Sequence, residues 1–153
     1  MAATRNLPCL SLEAAKIAAA AAEDKAKQMG IDFNIALVDS TLQLLHFVRM
    51  PNAKLTSVHI SIDKAFTAAG HRLPTASYSG NKTFLPGGPA YGIHNSNGGR
   101  FMLIGGGIPI TVDGAIVGAI GCSTGTPAQD VEVAMAGVEA VERFQRRKGG
   151  AKL

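Results

Sequence analysis

Residues 101–125, FMLIGGGIPITVDGAIVGAIGCSTG, decide the fold, because this is an apolar segment broken by glycines and by one Asp-Gly pair. Asp113-Gly114 between stretches of Val and Ile is a strong hairpin signal, since a type I′ turn needs positive φ at both central positions. Gly105-Gly106-Gly107 ahead of Pro109 excludes a helix interior: glycine forfeits backbone entropy there and proline lacks the amide donor. The segment therefore predicts a strand from Phe101 and then a glycine hinge, which is a bulge, a corner or a close backbone approach. A strand to Val112, a tight turn and a last strand over 115–123 follow. That last strand is apolar on nearly both faces and belongs in the middle of a sheet covered by helices.

The surrounding chain supplies those helices. Ser11 caps a helix whose Ala14, Ile17, Ala18, Ala21, Ala26 and Met29 recur at helical spacing, and Gly30 stops it. Small alanine side chains on one face permit close approach to a sheet or a second helix. Residues 33–39, FNIALVD, and 42–50, LQLLHFVRM, read as two strands joined at Asp39-Ser40-Thr41. Strict alternation in the second puts Leu45, Phe47 and Arg49 on one face and Leu44, His46 and Val48 on the other. Residues 56–72 are a helix with Val58, Ile62, Ala65 and Ala69 as its buried stripe, while Lys64, Thr67 and His71 project together on a neighbouring face. His59 and Asp63 form an i, i+4 pair there. Residues 85–99, LPGGPAYGIHNSNGG, are a long loop, of the kind that is usually functional or mobile. Thr126-Pro127-Ala128-Gln129 starts the last helix with an N-cap, Pro at N1 and a capping box, and Gly149-Gly150 lies beyond its end.

A length of 153 residues is one domain's worth, with a core over about 10–146 and flexible ends. Hydrophobic residues make up 46% of the chain, which excludes disorder, and only 5% is aromatic, so the packing rests on small side chains. Cys9 and Cys122 form no disulfide framework and no leader is evident, so a cytoplasmic, reducing location is expected. No run is long and apolar enough for a membrane. The net charge of +4 owes much to Arg143, Arg146, Arg147, Lys148 and Lys152. A cationic helix end accounts for that cluster without nucleic acid, because no aromatic residues interleave it.

VDSTLQLLHFVRM, SIDKAFTAAGHR, GGGIPITVDGAIVGAIGCSTGTPAQD and AMAG together resemble the GlcG/HbpS family of haem-degrading and related domains, over roughly residues 10–144. The resemblance implies an α/β (α+β) fold, a profilin-like sandwich in which helices flank a five-stranded antiparallel sheet. It also implies assembly from dimers up to octamers, and haem as a possible cofactor. Family motif positions fall on Asp39, Arg49, Lys64, Asp113, Gly114, Gly121 and Asp130. The first helix carries no His, although a His there ligates haem in some relatives.

The residues themselves narrow the chemistry. His46, His59, His71 and His94 form no metal-ligand motif, so no metal site is expected. No phosphate loop or serine elbow is present. The free N–H groups after Ser123-Thr124-Gly125-Thr126 suit a carboxylate. The expected site is a pocket for an anionic or planar small molecule, haem or a small carboxylate, lined by Arg49, Thr67, Arg72, Ser123, Thr124, Thr126 and Asp130. The alternative is a cofactor-independent acid-base enzyme acting on an oxo or imine metabolite, with Lys64 or His71 moving the proton. In a third, structural reading, Lys64 and Asp130 are an ion pair holding two helices or two subunits together.

Overall fold

The Asp-Gly turn closes the hairpin of a four-stranded antiparallel sheet in the computed structural model, which describes residues 2–150. The elements are α1 (Leu12–Met29), β1 (Asn34–Asp39), β2 (Leu44–Arg49), α2 (Ser57–His71), β3 (Gly107–Val112), β4 (Ala115–Ser123) and α3 (Pro127–Gly150). Strand order is β2-β1-β4-β3, so β1 and β4 are central and β4 is buried almost throughout. Helices α1 and α3 cover one face and α2 the other. None of the helices among the described residues is long and apolar enough to cross a membrane.

The expected fifth strand does not form. Residues 101–104 are irregular because Met102 N–H donates to Thr67 Oγ1 at 2.8 Å rather than into a ladder. Gly106 then turns the chain at φ +127° just before β3 begins. Alternation in β2 is also broken, since a bulge opposite Leu37/Val38 leaves Leu45 without a partner. Leu45 joins Val48 against the α1/α3 core, while Phe47 packs towards α2. A second bulge frees the Val117 carbonyl, and the N-terminal arm takes it through Leu10 N–H at 2.8 Å.

Local signals set the helix ends as their chemistry requires. Ser11 Oγ accepts from Ala14 N–H, and Gly30 closes α1 at φ +68°. The alanine face of α1 lies so close to α3 that a Cβ on Gly137 would stand 3.0 Å from Ala18 O. Helix α3 continues through Gly149 and Gly150 instead of ending before them. Lys148 reaches Glu13 and Arg143 reaches Glu139, so part of the basic end is paired within the chain. The expected flexibility of the ends concerns, at residues 1 and 151–153, positions outside the described residues.

Candidate functional site: the C-terminal half of α2 and the segment across it

Helix α2 lies directly on β4. A Cβ on Gly121 would collide with Ser61 O, so only glycine there lets the helix backbone touch the strand. This close approach buries Ser57, Ser61, Lys64 and Thr67, a polar face that spacing alone gave no reason to place inside. Lys64 is 1% exposed, and its Nζ donates to Asp130 Oδ2 at 2.6 Å and to Cys122 O at 3.1 Å. Asp130 Oδ1 accepts from Gly125 N–H at 2.9 Å. Burial pushes the Asp130 carboxyl up from the ordinary aspartate value, while hydrogen bonding and charge from Lys64 and the amides of Gly125 and Thr124 pull it back. Burial likewise pushes the Cys122 thiol far up, so it is no nucleophile. Gly106 roofs the pair: a Cβ there would lie 2.9 Å from Lys64 Nζ and 2.6 Å from Cys122 O.

The start of α3 spends its amides inside the chain. Thr126 Oγ1 accepts from Gln129 N–H at 3.3 Å and Gln129 Oε1 from Thr126 N–H at 2.9 Å, the two halves of a capping box. Asp130 already holds Gly125 N–H. Beside this turn, Arg49, Asn34 and Ser123 stand in register across β2, β1 and β4. Asn34 Nδ2 donates to Lys54 O at 2.8 Å, and Thr124 Oγ1 accepts from Lys54 N–H at 3.3 Å. Arg49 is exposed at the sheet edge.

A cavity of about 230 Å³ opens further along α2, lined by Leu42, Phe66, Thr67, Gly70, His71, Asn97 and Phe101. His71 stands at its mouth, with its ring edge-on to Tyr78 at 5.7 Å and to Phe101 at 5.1 Å between centroids. Tyr78 is 4% exposed and packs in turn on Phe84. Thr67 Oγ1 donates to the Asp63 carbonyl at 2.7 Å while accepting from Met102 N–H. Arg100 Nε donates to Asp63 Oδ1 at 3.0 Å, and the guanidinium lies 3.9 Å above the Phe66 ring. Asp63 thus pairs with Arg100 and not with His59.

The residues singled out from sequence therefore separate. Lys64, Asp130, Ser123, Thr124 and Thr126 surround a buried junction between α2, β4 and α3, and Arg49 lies at its edge. Thr67 and His71 belong to the cavity, and Arg72 follows at the exposed C-cap, at φ +61°. His71 lies seven positions after Lys64, about 10 Å along the helix axis. Leu42, Phe66, Gly70, Asn97 and Phe101 were missed, although Phe66 and Gly70 share a face at i, i+4 and Asn97 lies in the Gly/Asn-rich loop. His71 is the one ionisable side chain among the residues lining the cavity, so proton transfer there would fall to it.

Known proteins share this fold. The chain is 35% identical over 127 residues to an uncharacterised 15.0 kDa protein of the dhaT-dhaS intergenic region of Citrobacter freundii, covering 83% of this chain and 88% of that one. The crystal structure of Klebsiella pneumoniae protein ORFY superposes with a TM-score of 0.89 at 30% identity, covering 93% of this chain and 97% of that one. The crystal structure of a PduOC:heme complex superposes with a TM-score of 0.81 at 29% identity, covering 86% and 94%. Residues 10–139 match the family described as haem degrading protein HbpS-like, and they run from the residue before the Ser11 cap to the middle of α3. The buried Lys64–Asp130 junction and the Asp-Gly hairpin lie in that span together with α1, α2 and the first half of α3, and the chain belongs to the HbpS-like family.

Proposed function

We propose that this chain binds a small planar ligand carrying negative charge in the cavity beside His71. The observation that carries this reading is the cavity lining: an apolar floor of Leu42, Phe66 and Phe101, with Thr67, Asn97 and His71 as polar groups. A few placed polar groups over an apolar floor are the usual make-up of a small-molecule site. No carboxylate lines the cavity, and Arg72 adjoins the lining residue His71 in sequence. An aromatic carboxylate meets all three features.

Haem is the second reading, favoured by the exposed imidazole of His71 and by the haem complex of the PduOC relative. The donor set fits it: His71 would supply a nitrogen, Phe66 and Phe101 apolar faces, and Arg72 a cation for a carboxylate. When bound, haem would supply the redox and ligand chemistry of its iron. The volume fits less well, because about 230 Å³ is below the roughly 300–1,000 Å³ of pockets that enclose a drug-sized ligand. One protomer takes a single-ring or two-ring molecule whole and a tetrapyrrole only in part. Self-association, which would complete such a site, is supported by the exposed Leu85, Tyr91 and Ile104 near the cavity segment and is read by light scattering.

Titration with 2-naphthoate and with haemin tests both readings. Saturable 2-naphthoate binding that weakens at least about tenfold in His71→Ala supports the first. A Soret shift that survives competition by albumin and vanishes in His71→Ala supports the second. Naphthoate binding equal in wild type and His71→Ala overturns the assignment of the site.

A further inference from the structure

The far wall of the His71 cavity hangs on side chains. Residues 96–102 supply Asn97 and Phe101 to the lining, opposite Phe66, Thr67, Gly70 and His71 of α2. Within this segment the backbone bonds are local turns, Gly99 N–H to Ser96 O and Arg100 N–H to Asn97 O. Its ties to α2 are the Arg100–Asp63 pair, the Arg100–Phe66 stack, the Phe101–His71 ring contact and the two hydrogen bonds at Thr67 Oγ1, which accepts from Met102 N–H and lies 3.2 Å from the Arg100 carbonyl it can donate to. Positive φ at Asn97, Gly98 and Gly99 marks one end, and a few residues past the other end Gly106 turns the chain at φ +127°. A short segment between glycine-bearing turns and with few main-chain ties opens at lower free energy than the sheet beneath it.

We propose that residues 96–102 form a strap over the cavity, and that Arg100 is the positioning residue that latches it and so sets how fast a ligand exchanges. Arg100 does not itself line the cavity but contacts residues that do. It acts through Phe66, whose ring it caps from outside, and through Phe101, its neighbour in the chain. Three features suit it to this role: the planar guanidinium stacks on the ring while Nε pairs with Asp63, a double contact that lysine cannot reproduce. The pair is partly exposed, with side-chain accessibilities of 40% and 20%, so breaking it leaves no uncompensated buried charge and the fold survives. The inference rests on the cavity being the binding site, whereas the latch can be read without any ligand.

The chain has two tyrosines and no tryptophan, so in a Tyr91→Phe background the buried Tyr78, 5.5 Å from Phe101 between ring centroids, is the sole reporter of strap opening. In that background Arg100→Ala is expected to increase acrylamide quenching of Tyr78 and to raise the 2-naphthoate dissociation rate about tenfold, with the melting temperature nearly unchanged. Arg100→Lys falls between, and adding Asp63→Asn to Arg100→Ala changes neither readout further. Quenching and dissociation both unchanged in Arg100→Ala overturn the proposal. If naphthoate binds wild type and leaves Arg100→Ala at the same rate, the strap inference falls while the cavity reading stands. If quenching rises but naphthoate never binds, the cavity reading falls and the latch is retained.

Discussion

Lys64 and Asp130 illustrate how a charged side chain comes to lie in the interior of a small domain. Both ions are almost wholly desolvated, which is tolerable only because Lys64 Nζ meets a carboxylate and a carbonyl while Asp130 also takes a backbone amide. Lys64→Met alone leaves Asp130 buried without its cation and is expected to cost about 3–5 kcal/mol in urea unfolding. Lys64→Met with Asp130→Leu is expected to recover most of that loss, since a matched apolar pair needs no partner. Failure of the double variant to recover would show that the pair does more than fill space. The pH dependence has an unusual sign. Because burial raises the native Asp130 carboxyl above its ordinary 3.8, the folded chain keeps a proton that the unfolded chain has already released. The advantage of wild type over Asp130→Asn should therefore shrink as pH rises from about 4 through the raised native value, opposite to the usual salt-bridged carboxylate. Melting curves of both proteins between pH 4 and 7 check it.

At the level of elements, contact between α2 and β4 governs where every candidate group lies. Gly121→Ala would drive a Cβ into Ser61 O and lift the helix from the strand. Overpacking of this kind costs about 1–3 kcal/mol or more, and here it should also loosen the His71 cavity, because Phe66 and Thr67 ride on the same helix. Naphthoate affinity and unfolding midpoint are expected to fall together in Gly121→Ala, and a drop in stability with affinity intact would contradict this coupling. The hairpin, the capping box at Thr126 and the stop at Gly30 were legible in sequence, because each obeys a rule spanning four residues or fewer. The fifth strand was read in error at residues 101–104, where the side chain of Thr67 captures the Met102 amide from 35 positions away. No local pattern announces such a competitor. The bulge at Leu45 escaped for a related reason, since alternation cannot show where a ladder slips.

Across the whole molecule, the sheet separates two unlike layers. The α1/α3 side holds the larger core, with Phe33, Ile35, Leu37 and Ile120 among its residues, and gives the domain its bulk. The α2 side holds a smaller cluster of Ala36, Val38, Ala65, Ala68, Ala69 and Ala119, with polar groups interleaved. Lys64 of α2 meets Asp130 of α3 at the end of β4 and fixes α2 against the sheet, and the cavity opens towards the C-terminal end of the same helix. Sequence brought together a cationic helix face and a hydroxyl-rich turn as one pocket. The structure joins them only at Lys64 and Asp130, because Asp130 and Gln129 already take the amides a ligand would need. The proposed binding site therefore lies beyond the junction, at His71. Amide chemical-shift mapping with 2-naphthoate tests this most directly: the account predicts shifts centred on Phe66, Thr67, Gly70, His71 and Asn97, and shifts centred instead on Arg49, Ser123, Thr124 and Thr126 would contradict it.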